Sequence, residues 1–334
     1  MTITTDRLTA QQSMNDLGKD RRPFLFLIDF EMERPIVLPL DAIDPAQLQF
    51  AIHHHRNDQG KPSATDFYFE RHPVSIARYA AAFEQVQQAL HDGNTYLLNL
   101  AFPTAIDTNL SLHDIFLLSR ARYRIWMKGQ FTCFSPEPFV RISQGGRIAS
   151  FPMKGTIDAT LPGAEQQLLS NEKERAEHAT IVDLIRNDLS MVAKKVRVKR
   201  YRYVEAITTH TGSLLQTSTE IEGQLPVDFH QHLGDLFFKL LPAGSISGAP
   251  KQKTVEIIRS AEGQDRGYYT GVCGIYDGQT VDSGVMIRFV EATPDGLVFK
   301  SGGGITARSR MQAEYEELLQ KAYLPFANAT APLL

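Results

Sequence analysis

The 334-residue sequence predicts an α+β fold built mainly on antiparallel strands. Three observations carry that expectation. Strand-like runs cluster and return on tight turns, with Asp277-Gly278 and Asp295-Gly296 as hairpin signals. Helical periodicity arrives in separate blocks instead of alternating with single strands, which argues against a parallel βαβ sheet. No break between about residues 80 and 325 reads as a linker, so residues 23–330 are expected to form one large domain.

The elements follow in order. "MTITTDRLTAQQSMNDLGKDRR" has no apolar core of a secretory signal, and residues 1–22 read as a flexible tail. "PFLFLIDFE" is a buried strand. "IARYAAAFEQVQQALHDGN" is an amphipathic helix closed by Gly93-Asn94, and "TYLLNLAFPTAI" returns as a strand. "QFTCFSPEPFVRIS" and "RIASFPMKGT" read as a hairpin around Gly145-Gly146. The longest helical signal is "NEKERAEHATIVDLIRNDLSMVAKK", with apolar positions at Ile181, Val182, Ile185 and Leu189. "VRVKRYRYVEAITTHTGSLLQTSTEIEG" is strand-rich. "GAPKQKTVEIIRSAEG" is a helix with Pro250 near its first turn. Antiparallel strands then run from Tyr269 to Ile305, and "MQAEYEELLQKAYLPF" is a closing helix.

Composition excludes several classes. Hydrophobic content of 43% supports a substantial core, and the formal net charge of −3 is too balanced for a nucleic-acid binder with a basic field. The basic cluster Lys194 to Arg202 alternates with Val196, Val198 and Tyr201, as a strand with one solvated face does. Cys133 and Cys273 are far apart and make no disulfide framework. No run of about 18 apolar residues is present. The expected setting is the reducing cytoplasm.

Several residues could carry chemistry. Lys154 stands in "SFPMKGT", in what reads as a half-apolar turn at a strand end. Glu174 and Glu177 are three apart on one helix, as are Glu314 and Glu317 on another. Facing one another, the two pairs would suit Mg²⁺; they would serve equally as surface charge, and Glu317 can pair with Lys321. "AGSISGAPK" departs from a phosphate loop because Ala249-Pro250 separate Gly248 from Lys251 and Gln252 follows. It still opens a helix whose first amides can meet an anion. "SGGGI" could form a backbone nest, or a plain glycine turn. Arg288 reads as a mid-strand charge, in need of an anionic ligand or a salt bridge. His210 reads as a structural histidine before any functional one.

The stretches "FSPEPFV", "FPMKGT", "EKERAEHATIVDLIRNDL", "TTHTGS", "PAGSISGAPK", "RGYYTGVCG", "MIRF", "SGGGI" and "QAEYEEL" stand in the order found in the chorismate-utilising enzymes. That family includes anthranilate, aminodeoxychorismate, isochorismate and salicylate synthases, and the resemblance covers roughly residues 85 to 323. It implies large, mainly antiparallel sheets forming a sandwich with helices outside.

The resemblance also implies a site. Glu177 and Glu317 match direct Mg²⁺ ligands, and Glu174 and Glu314 match carboxylates reaching the metal through water. Tyr269, Arg288, Lys321 and the glycines Gly302, Gly303 and Gly304 match the cradle of chorismate's carboxylates, and Ser245 and His210 match ring-side contacts. Glu137 matches the general acid/base beside the C4 hydroxyl. A lysine at the position of Lys154 is typical of aminodeoxychorismate synthases, where anthranilate synthases carry alanine. A neutral amine there, its pKa lowered by a dry site, can attack C2 of the ring. The implied activity is formation of 4-amino-4-deoxychorismate for para-aminobenzoate and folate. Anthranilate synthesis, another chorismate reaction, and a silent chorismate-fold binding protein are the alternatives. Leu97 stands where isochorismate- and salicylate-forming members carry a water-activating lysine, and Ser190-Met191 replace the usual Gly-Arg. No glutamine-amidotransferase segment is visible, so a separate subunit is expected to supply ammonia.

Overall fold

The computed structural model describes residues 4–63, 66–208 and 213–324. Its strands, in chain order, are β1 (Phe24–Ile28), β2 (Ile36–Pro39), β3 (Leu48–Ile52), β4 (His55–Arg56), β5 (Phe69–His72) and β6 (Leu97–Thr108). Then come β7 (Tyr123–Met127), β8 (Phe131–Ser135), β9 (Pro138–Ile142), β10 (Arg147–Ser150), β11 (Met153–Asp158) and β12 (Lys194–Thr208). The last six are β13 (Ser213–Gln224), β14 (Gly248–Ala249), β15 (Val272–Tyr276), β16 (Val281–Val285), β17 (Phe289–Thr293) and β18 (Gly296–Ile305). The helices are α1 (Arg7–Lys19), α2 (Ile76–His91), α3 (Leu112–Leu118), α4 (Ala164–Ser170), α5 (Glu172–Ser190), α6 (Leu233–Leu240), α7 (Lys251–Glu262) and α8 (Met311–Lys321).

Two antiparallel sheets form, as the α+β expectation required. The first runs β11-β13-β10-β9-β16-β15-β1-β2, with β12 also on β13. The second runs β14-β6-β18-β17-β8-β7-β3-β4, with β5 on β6. β1 shows why the run "FLFLI" is apolar throughout. Leu25 and Leu27 pack with Phe50, Ile125 and Phe131 of the second sheet, so one core lies between the sheets. Phe24, Phe26 and Ile28 point the other way, toward α1 and α6. A strand covered on both faces has no polar face to alternate with. On the outer side of the second sheet, Leu98, Leu100 and Phe102 of β6 meet α2, α7 and α8. The result is a sandwich with helices outside. Among the described residues no helix is long and apolar enough to cross a membrane, and Cys133 and Cys273 are both free and buried.

Residues 7–19 correct the expected tail: they form α1. Asp6 caps it by accepting from the Leu8 and Thr9 amides at 2.9 and 3.0 Å. The helix buries Ala10, Met14 and Gly18. A Cβ on Gly18 would lie 2.0 Å from the His230 carbonyl oxygen, and one on Gly234 2.0 Å from that of Gln11. A stripe with one large apolar residue among small ones docks this helix, which is why apolar periodicity did not reveal it.

Candidate active site

Two crossovers between the sheets build one wall of the site. The chain leaves the second sheet after β8 and enters the first at β9, and Glu137 lies at that step. It goes back between β16 and β17, and Arg288 lies at that step. The crossovers are tied together. The Val285 amide donates to the Glu137 carbonyl at 3.0 Å, and the Phe134 amide to that of Arg288 at 3.0 Å. Arg288 is therefore not mid-strand, as its flanking residues implied. It sits in a strand break with φ of 54°, its guanidinium over the Tyr323 ring. A strand break can spend its backbone on aiming one side chain, which a paired strand cannot.

Glu137 accepts a hydrogen bond from the Ser245 hydroxyl at 3.1 Å. Burial pushes its carboxyl up, against the opposing pull of that hydroxyl and of the Lys321, Arg288 and Lys154 charges. A carboxyl shifted upward holds its proton to higher pH than a free one, the direction that suits a general acid. Tyr269, almost fully buried, flanks the same wall and senses the Arg288 and Glu137 charges; burial pushes its hydroxyl up.

The opposite wall carries Lys154. The turn at Phe151-Pro152 precedes it, and Lys154 itself is on β11, against a bulge between Lys154 and Thr156. Gly155 has φ of +77°, and a Cβ there would sit 3.3 Å from a Glu174 oxygen. The Lys154 Nζ lies 2.7 Å from Glu177 Oε2. This reverses one expectation. Burial lowers the Lys154 pKa, but the charge and hydrogen bond of Glu177, with Glu174 and Glu317 behind, outweigh it and raise the pKa overall. The dry surroundings are present; the carboxylates within them decide the sign.

The floor is β18. Gly302, Gly303 and Gly304 pair in regular register with Ala101, Leu100 and Asn99 of β6, so they form a strand and not a nest. Gly303 and Gly304 leave space. A Cβ on Gly303 would stand 3.6 Å from a Glu317 oxygen, 3.7 Å from a Glu314 oxygen and 3.8 Å from Lys321 Nζ. One on Gly304 would stand 3.5 Å from Leu97 Cδ1 and 4.0 Å from Lys154 Nζ. Lys321 lies 2.6 Å from Glu317 and donates to the Gly302 carbonyl at 3.0 Å.

The structure thus gathers Lys154, Glu137, Ser245, Tyr269, Arg288, Gly303, Gly304, Lys321 and the four glutamates around one space, while Gly302 turns instead against Ala101 and Leu100 of β6. His210 lies outside the described residues. In donor chemistry, four carboxylates are the set a hard divalent cation takes. Two lysine ammoniums stand against Glu177 and Glu317, and Glu174 Oε2 is buried with no hydrogen-bond partner. The tightest geometric grouping lies elsewhere: among the described residues, the ligand atoms of Glu70, His72 and Asp107 come within 4.8 Å of one another, all of them exposed.

Sequence reading missed two supports. Arg266, fully inside, binds Glu262 at 2.5 Å and donates to the Ile246 and Asn99 carbonyls at 3.0 and 2.7 Å, tying Ser245's loop to β6. Lys251, weighed only as a phosphate ligand, instead turns inward to Asp188 at 2.9 Å. Position within "RGYYTG" for Arg266 and within "PAGSISGAPK" for Lys251 was the available signal.

A family model described as chorismate binding enzyme matches residues 38–326. The chain belongs to the chorismate-binding enzyme family. It is 52% identical over 318 residues to a Haemophilus influenzae protein named "Uncharacterized PabA-like protein", covering 95% of this chain and 97% of that one. It is 35% identical over 263 residues to aminodeoxychorismate synthase component 1 of Klebsiella aerogenes, covering 74% of this chain and 57% of that protein. The chain thus spans little more than half the length of that synthase component. Among solved structures it resembles MenF, the menaquinone-specific isochorismate synthase of Escherichia coli, with a TM-score of 0.70 at 17% identity over 95% of this chain and 81% of that one. That likeness speaks to the fold alone. Together the comparisons make it a chorismate-utilising enzyme close to aminodeoxychorismate synthase component 1.

Proposed function

We propose that the chain is the synthase subunit of an aminodeoxychorismate synthase. It converts chorismate and ammonia to 4-amino-4-deoxychorismate and water, for para-aminobenzoate and folate. The observation that carries this reading is the Lys154 amine, 2.7 Å from Glu177 and beside the open face of Gly304.

In this reading Arg288, Lys321 and the glycine floor hold the substrate's carboxylates. Glu174, Glu177, Glu314 and Glu317 would hold Mg²⁺, which would supply positive charge to the ring carboxylate and the departing hydroxyl. The Lys154 ammonium gives up its proton to water in the site. The amine then bonds to C2, the ring double bonds shift, and the C4–O bond breaks. Glu137 protonates the leaving hydroxide, giving water. Ammonia bonds to C4, the double bonds return, and the C2–N bond breaks with its electron pair going back to Lys154. The new ammonium passes a proton to Glu137, which restores the acid. Atoms and protons balance. Leu97, apolar and buried beside Lys154, offers no group to activate water in competition.

A separate glutamine amidotransferase in the cytoplasm supplies ammonia in this reading. Chorismate, Mg²⁺ and an ammonium salt, followed by product analysis, test it. Aminodeoxychorismate is the expected product. Anthranilate in its place would overturn the reading, and no turnover at all would favour a protein that only binds.

A further inference from the structure

The last turn of α5 and the first turn of α7 meet behind Glu137, at a contact no step of the reaction uses. Asp188 Oδ1 lies 2.9 Å from Lys251 Nζ, and both side chains are largely buried. Lys251 also donates to the Leu240 carbonyl at the end of α6. The Gly244 backbone faces the same carboxylate and pulls its pKa down against burial. Gly244 is pressed against this contact: a Cβ there would sit 2.1 Å from Leu184 Cδ2 and 2.7 Å from Asp188 Oδ2. The next residue is Ser245, whose hydroxyl reaches Glu137. Glu137, Asp188, Gly244 and Ser245 line a common cavity of about 20 Å³, room for one water.

An ion pair between buried groups is a poor source of stability, since two desolvation costs offset the attraction. Its geometry, however, is well defined. One carboxylate fixes both ends of the turn from Gly244 to Lys251, and that turn carries the hydroxyl that meets the acid.

We infer that Asp188, with Lys251, is a positioning pair that sets the Ser245 hydroxyl against Glu137. The inference rests on the reading of Glu137 as the acid, and its test reads Glu137 directly as well as through turnover. The groups facing Glu137 are Ser245 from the turn, Lys154 from β11, Arg288 from the crossover, Tyr269 and Lys321 from α8. Asp188 also faces Glu137 across the shared cavity, so its charge acts there directly; the part of a change that passes through Ser245 is the part that vanishes in a Ser245→Ala background.

The experiment is a carboxyl ¹³C titration of the full chain, with the Glu137 signal identified by its loss in Glu137→Gln. Ser245's hydroxyl favours the charged carboxylate, so Ser245→Ala raises the Glu137 titration. Asp188→Ala is expected to shift it by a different amount in the wild-type and Ser245→Ala backgrounds, upward by the lost hydroxyl only where Ser245 is present; equal shifts in both backgrounds would mean that the Asp188 charge acts alone and would overturn the inference. In turnover, Asp188→Ala lowers kcat about tenfold with KM for chorismate within about twofold. A Glu137 titration unmoved by Asp188→Ala in both backgrounds overturns it too, whatever the activity. If Asp188→Ala does not fold, Lys251→Met is read in the same titration against the same two outcomes. Full activity in Glu137→Gln would instead refute the acid role itself, leaving the titration to judge the positioning.

Discussion

Gly304→Ala and Gly302→Ala separate space kept for a ligand from space that does not exist. A methyl on Gly304 would make ordinary contacts, 3.5 Å to Leu97 Cδ1 and 4.0 Å to Lys154 Nζ. Folding should not suffer; alanine within a strand gains roughly 0.5 kcal/mol over glycine by restricting the unfolded chain. Chorismate would then have to bind against an added methyl, and overpacking of that kind costs about 1–3 kcal/mol. KM should rise roughly five- to 150-fold. A methyl on Gly302 would lie 2.8 Å from the Ala101 Cβ and from the Leu100 carbonyl oxygen, so backbone must move. Its cost of about 1–3 kcal/mol falls on stability and should lower Tm by several degrees. Thermal melts and steady-state kinetics on both variants suffice. A wild-type KM in Gly304→Ala would refute the assignment of this face of β18 to the substrate.

Further outcomes follow from the same geometry. Glu177→Gln and Glu317→Gln should remain folded and lose Mg²⁺-dependent turnover; unchanged Mg²⁺ activation in both would sink the metal assignment. Turnover with ammonium should climb with pH as free NH₃ increases, and glutamine should serve only with a separate amidotransferase present, so glutamine-driven turnover by the purified chain would contradict the partner reading. His230, buried against Tyr276, has its pKa lowered by burial from 6.5 to about 4. The unfolded chain therefore takes up this proton first, and stability of about 3 kcal/mol, intact above pH 6.5, is lost as pH falls toward 4. Denaturant melts across that range should show a shallower slope for His230→Gln; an identical slope would mean that the imidazole titrates normally.

Much of this was legible because the signals were local. Asp-Gly turns, the clustered strand runs from Tyr269 to Ile305 and the long period of α5 report backbone conformations that neighbouring residues decide. The glutamate pairs were legible as pairs, since spacing of three puts them on one face. That Glu174, Glu177 and Glu317 all come to Lys154 is a tertiary fact. Arg288 was misplaced because its flanking residues are strand-formers; only the crossover between sheets, held by Glu137 and Phe134 backbone bonds, breaks the strand there. α1 was missed because its buried stripe, Ala10, Met14 and Gly18, holds one large apolar residue among small ones, and close backbone approach at Gly18 and Gly234 does the rest. The Lys154 pKa went wrong in sign because burial was counted without the carboxylates that burial brings along. Asp188 and Lys251 are 63 residues apart, and nothing in either segment names the other.

The central claim is that Lys154 becomes covalently attached to the substrate. Wild-type protein is incubated with chorismate and Mg²⁺ without ammonia, quenched, and weighed intact, alongside Lys154→Ala and Lys154→Arg. The account predicts a gain equal to chorismate less one water in the wild type, located to Lys154 by peptide mapping. Neither variant should show it, since alanine has no amine and arginine stays protonated. A wild type that gains no mass, together with a Lys154→Ala that still makes aminodeoxychorismate at full rate, would contradict it and leave the lysine of "FPMKGT" a structural residue.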